Sequence, residues 1–161
     1  MYVCGSQGNK EDDEEMKFGR LRTLRGQVEV VGGVARKNLI LADGLVNYGL
    51  KIKSFTLWID DQTTVHTMQG ILSLDTISSG SVFNAGDNRQ FSWTFYANSG
   101  AIGEVVALQT IIDPDHIINR DLFLSMFAST DATYNYLIEA QVVELTDDEA
   151  IITIIKETSQ S

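Results

Sequence analysis

The chain has 161 residues, 43% of them hydrophobic, a net charge of −10 and a single cysteine, Cys4. A chain of this length is the size of one domain, able to bury roughly two thirds of its unfolded surface without a staple, and one cysteine excludes both an internal disulfide and a thiolate metal site. No apolar run approaches the roughly 20 residues of a membrane-spanning helix, and a body this acidic repels polyanions over most of its surface.

The charge falls in blocks. Residues 1–16 hold one basic and five acidic residues, residues 17–37 six basic and one acidic, and the remainder five basic and sixteen acidic. The polar, acidic start, 1–16, has too little apolar surface to offset the entropy of ordering it and reads as a flexible tail. Only the segment 17–37 is a candidate for contact with nucleic acid.

Nine strand-like runs then lie between Phe18 and Leu145. Phe18 to Leu24 and Gln27 to Val31 read as two strands interrupted at Gly26, and Gly32-Gly33 closes the second because glycine accepts the positive φ of a turn. Asn38 to Ala42 is a short run before the turn pair Asp43-Gly44. In Leu50 to Ile59 the phase of the apolar residues switches near Ser54, which a bulge there reconciles. Thr67 to Asp75 follows, with Gly70 as a further candidate bulge, and Asn84 to Asn88 is the richest turn cluster. Gln90 to Tyr96 places Phe91, Trp93 and Phe95 on alternate positions, hence on one face. Asn98-Ser99-Gly100 turns the chain into Ile102 to Ile112. Asp121 to Phe127 is apolar on both faces, as a central strand would be, and Tyr134 to Leu145 alternates with Tyr136, Ile138, Ala140 and Val142 inward. Runs of this kind separated by turns point to an antiparallel β-sandwich or barrel over 17–145.

Residues 146–161 break the pattern. Thr146-Asp147-Asp148-Glu149 has the spacing of a capping box, and Ile151, Ile152, Ile154 and Ile155 fall on an arc of about 160° at helical periodicity. Isoleucine is a poor helix former, so the expected short C-terminal α-helix needs packing. Full burial of the four side chains contributes on the order of 6 to 12 kcal/mol. The helix is expected to dock on its own sandwich or on a neighbouring subunit, and these four residues are the expected oligomer interface.

Candidates for chemistry are few. His66 and His116 are the only histidines. Asp113-Pro114-Asp115-His116 has a composition able to bind a divalent ion, but Asp-Pro initiates turns and that reading is preferred. Adjacent Asp60 and Asp61 point to opposite faces of an extended chain, which favours a solvated loop over a carboxylate pair. There is no phosphate loop, nucleophile elbow or zinc signature, so neither catalysis nor a cofactor is expected. The aromatic stripe could stack ligands, yet Arg89 is its only nearby cation, and core packing explains it better. Trp58 and Tyr96 lie outside the stripe and are the candidate ligand-stacking residues.

On these residues the chain resembles the small single jelly-roll structural proteins of virus particles. The number and order of strands, the basic entry segment Lys17 to Arg25 and the turn Asn84 to Asn88 carry the likeness. The stretch from Ile111 through Phe123, and the closing Glu149 to Gln160, are similar to short structural proteins encoded by small marine viruses. The resemblance implies an all-β, antiparallel β-sandwich of jelly-roll type with a short C-terminal helix, acting as a non-enzymatic capsid or other virion structural protein. It implies symmetric self-association into a homo-oligomer or shell, contacts with other virion proteins, and location in the virion after synthesis in the host cytoplasm. Lys17, Arg20, Arg22 and Arg25 would face the genome or an acidic neighbour. The alternative is a non-catalytic carbohydrate-type binding module.

Overall fold

The computed structural model describes residues 17–39, 48–77, 83–101, 104–146 and 148. They form eight strands, β1 (Lys17–Glu29), β2 (Val34–Leu39), β3 (Tyr48–Ile59), β4 (Val65–Ser73), β5 (Gln90–Ser99), β6 (Val105–Ile112), β7 (Leu122–Ala128) and β8 (Thr133–Glu144). A three-stranded sheet has the order β1-β8-β3 and a five-stranded sheet the order β2-β7-β4-β5-β6. Every pairing is antiparallel.

Period-2 alternation builds the core. Tyr134, Tyr136, Ile138 and Ala140 of β8 are buried and face the same side as Phe55, Leu57 and Ile59 of β3. They pack in one cluster with Met68 and Leu72 of β4 and Leu122, Leu124 and Met126 of β7. One core shared by the inner faces of two sheets is the packing of a β-sandwich. The sheets approach closely at Gly70, where an added Cβ would overlap Leu57 Cδ1 of the facing sheet. Gly70 is therefore a point of contact between sheets; the register of β4 with both neighbours runs through it without a bulge.

Several expectations hold. The register of β3 against β8 shifts between Ile52 and Ser54, which turns Phe55, Leu57 and Ile59 to the face of Leu50 and Ile52. Gly32 and Gly33 have φ of 67° and 80°, and both amides donate to the Asp131 carboxylate at 2.9 Å. β7 lies inside its sheet between β2 and β4, with most of its residues buried. The Asn84 side chain accepts from Gly86 N at 3.0 Å, and Asp87 from Arg89 N at 3.0 Å, in the expected turn.

Others are corrected. The first two runs are one strand, because Gly26 passes across the Tyr136 ring, where a Cβ would lie 2.8 Å from the phenol oxygen. The next strand starts earlier than expected, at Val34, and is described as far as Leu39; positions 40–42 of the expected run lie outside the described residues. The aromatic stripe is split: Phe91 is an extra residue where the β4–β5 register shifts, so it joins the main core. Trp93 clusters with Ile71 and Phe127 instead. Ile71 alternates with the inward Gly70 and Leu72, which puts that cluster on the opposite face of the sheet. The helix expected over 146–161, with Ile151, Ile152, Ile154 and Ile155, lies outside the described residues except for Thr146 and Asp148.

Candidate functional site

The titratable groups serve turns and core. His66 is 1% exposed, its Nδ1 3.3 Å from the Tyr134 hydroxyl and its ring edge-on to the Tyr134 ring. Burial pushes its pKa below the usual imidazole value. His116 stacks on Phe91 with ring centres 4.7 Å apart, and burial lowers its pKa as well. The Asp61 carboxylate accepts from Thr63 N at 2.9 Å and Thr63 Oγ1 at 2.6 Å, hydrogen bonds that hold its pKa down. Asp113 accepts from Asp115 N at 3.0 Å, the turn expected of Asp-Pro. Among the described residues no group of three His, Cys, Asp or Glu is placed to hold a metal, and no helix is long and apolar enough to cross a membrane.

The basic segment is dispersed by its own strand. Arg20 and Arg25 are exposed, whereas Arg22 is half-buried. Arg22 stands opposite the core residue Ala140 and Arg25 opposite Leu137, so these two cations leave opposite faces of β1. Lys17 opens the strand. Arg36 donates from Nε and Nη2 to the Ile77 carbonyl at 2.9 and 2.6 Å, and Lys37 Nζ lies 5.2 Å from the centre of the Tyr136 ring. The expected patch over 17–37 thus spends Arg36 and Lys37 on contacts within the subunit.

Tyr96 corrects a ligand-stacking expectation. It is 2% exposed and its hydroxyl donates to Gln62 Oε1 at 2.9 Å, so it offers no face to a ligand. β5 alternation turns it inward with Thr94 and Asn98, opposite Met68. Trp58 is half-buried on the outer side of the three-stranded sheet, opposite Asn135, whose amide oxygen accepts from Gln27 at 3.0 Å. Trp93 is also buried, and its indole N–H donates to Gln90 Oε1 at 2.9 Å.

A surface that the alternation pattern does not reveal is exposed apolar strand. On β6, Val105, Val106, Leu108 and Ile111 are exposed, and at the start of β1 so are Phe18 and Leu21. Val-Val-Ala-Leu-Gln-Thr-Ile-Ile has the composition of a strand covered on both faces, yet among the described residues β6 is an edge. The signal available in the sequence is the lack of any charged residue across eight positions.

No protein-family model matches the chain, and no curated protein matches it.

Proposed function

We propose that this chain is a virion structural protein of capsid type, a single jelly roll that works by self-assembly and not by catalysis. The observation that carries the reading is the strand order. An eight-stranded jelly roll is a long hairpin rolled up, pairing first with last, second with seventh, third with sixth and fourth with fifth, and it yields two sheets of two interleaved Greek keys. Here β1 pairs with β8, β2 with β7 and β4 with β5. The third and sixth strands depart from this order: β6 pairs with β5 in the five-stranded sheet and meets β3 only through Thr110 Oγ1, which donates to the Phe55 carbonyl at 3.2 Å.

Self-assembly needs surface that is better buried than wet. Exposed apolar side chains on β1 and β6 supply some of it, and Ile151, Ile152, Ile154 and Ile155 of the tail supply more. Arg20 and Arg25, exposed on β1, are suited to a genome or an acidic neighbour in the shell. Light scattering and electron microscopy of the purified full chain test the reading. Discrete closed particles are expected; a monodisperse 17.8 kDa monomer at high concentration would refute it.

A second reading rests on Trp58. A partly buried indole, packed against the core and beside the Gln27–Asn135 amide pair, has the chemistry of a sugar-stacking site where its remaining face is open. Titration with neutral oligosaccharides, followed by tryptophan fluorescence, decides it: no change in a Trp58→Ala-sensitive signal removes this alternative.

A further inference from the structure

Charge is unevenly placed in space as well as along the chain. β8 lies between β1 and β3, and its alternation turns Glu139 and Gln141 to the outer side of the three-stranded sheet. Register fixes what flanks them. Lys51 of β3 and Leu21 of β1 both stand opposite Gln141, and Lys53 is the extra residue of the β3 bulge. Lys53 Nζ lies 5.8 Å from the centre of the Phe18 ring. Because β8 separates the two strands and the core fills the inner side, that contact crosses β8 on the outer side. Phe18 is 54% exposed, and Arg20 is exposed in the bulge that follows it. Among the described residues neither lysine has a carboxylate partner. Glu139, the carboxylate nearest in register, accepts from Ser54 Oγ at 3.1 Å, and Glu29 and Asp60 stand at the opposite end of the sheet, beside Thr133.

The chain enters this sheet at Lys17, the first residue of β1, directly after Glu11, Asp12, Asp13, Glu14 and Glu15. We propose that this acidic segment folds back over the outer side of the three-stranded sheet and pairs with Lys51 and Lys53, so that the chain shields its own cationic spot from other anions. Reach allows it. The row of Leu21 lies four residues along β1, about 13 Å, and β3 lies two strand spacings across, about 10 Å, which together make about 16 Å. With Met16 as the turning point, five extended residues span up to about 17 Å, and the lysine side chains shorten the gap. The segment has too little apolar surface to fold by itself, so charge is what orders it. Its tether decides between anions. A segment held a few residues from its site is present at an effective concentration in the millimolar range, whereas a free polyanion or a second copy must first approach a body of net charge −10. The pairing rests on the reading above that this side of β1 meets an anionic partner, and it does not depend on assembly. Exposed ion pairs are weak one by one, which makes the contact reversible.

A water-soluble carbodiimide condenses a carboxylate with a lysine amine in contact with it, with loss of water, and tests the pairing on the full chain. Mass spectrometry should find the peptide holding Glu11 to Glu15 joined to Lys51 or Lys53 at several times the level for Lys37 of β2, a lysine as buried as Lys51. The yield should fall severalfold from low to high salt as the charges are screened. When isotope-labelled and unlabelled chains are mixed, the links should stay within one isotope. Links spread evenly over the lysines, or insensitive to salt, overturn the pairing; links of mixed isotope overturn the chain's own segment as occupant and give the spot to a neighbouring copy. Shielding is read from the fluorescence anisotropy of a labelled oligothymidylate. Replacing the five acids by Gln and Asn should tighten its binding roughly tenfold at low salt, and Lys51→Gln/Lys53→Gln should remove most of that gain, as expected of groups in direct contact. General electrostatics predicts the same gain with and without the two lysines. No gain, or a gain as large in the lysine variant, overturns the shielding. Circular dichroism checks that the variants fold, and the cross-linking needs no variant. Neither measurement needs particles, so a chain that stays monomeric refutes the capsid reading and leaves the pairing standing.

Discussion

At Gly70 the two sheets are in contact, and adding one methyl group there tests the sandwich directly. In Gly70→Ala the new Cβ overlaps Leu57 Cδ1 and lies 3.1 Å from Thr94 Cγ2 and 3.4 Å from Phe55 Cζ, with Leu57 and Phe55 both in the core. Overpacking of this kind costs about 1 to 3 kcal/mol. Replacing a strand glycine recovers about 0.5 to 1 kcal/mol of backbone entropy. A net loss of about 0 to 2.5 kcal/mol is expected. Leu57→Ala removes a fully buried side chain and leaves a cavity, costing about 2 to 5 kcal/mol. In the double variant the methyl group added at position 70 enters space that the leucine vacated. The two losses should therefore add to less than their sum by about 1 kcal/mol or more, as expected of residues in direct contact. Urea denaturation of the four proteins, followed by circular dichroism, measures the coupling. Losses additive to within about 0.5 kcal/mol would refute the facing of β3 and β4 across the core.

Other expectations follow from the buried titratable groups and the two ends of the chain. His66 and His116 both have pKa values lowered by burial, so the unfolded chain binds protons more readily than the folded one. Stability from these groups is complete above about pH 6.5 and falls as the pH drops below it; a urea midpoint unchanged between about pH 7 and 5 would count against their burial. Tyr134 is the opposite case, its phenol pushed up to about 12, chiefly by burial. Stability should hold below about pH 10 and fall as pH rises from there towards 12, with Tyr134→Phe removing that alkaline loss. Replacing Ile151, Ile154 and Ile155 by polar residues should abolish particles while β content remains; normal assembly would confine the tail to its own subunit. Replacing Arg20, Arg22 and Arg25 by Gln should leave particles intact, lower their nucleic-acid content and flatten its salt dependence by up to about three counterions. Unchanged nucleic-acid content would end the genome-facing role.

What the amino-acid sequence determines here is local. The phase change in β3 placed a bulge near Ser54 because side chains alternate along any strand, whatever it pairs with. Gly32-Gly33 and Asn84 to Asn88 marked turns because their backbone and side-chain chemistry acts within a few residues. Alternation separates two faces of a strand, but what covers each face depends on partners far along the chain. The β1–β8 pairing joins Gly26 to Tyr136, and only that contact explains why the glycine continues the strand instead of ending it. The bulge at Phe91 sends Phe91 and Trp93 to opposite sides of β5, and the facing sheet buries Tyr96. Likewise Asp121 to Phe127 and the β6 run are both apolar, yet among the described residues tertiary structure makes the first a central strand and the second an edge. Burial is a property of the assembled sheets, so it was decided where strands met and not where they were written.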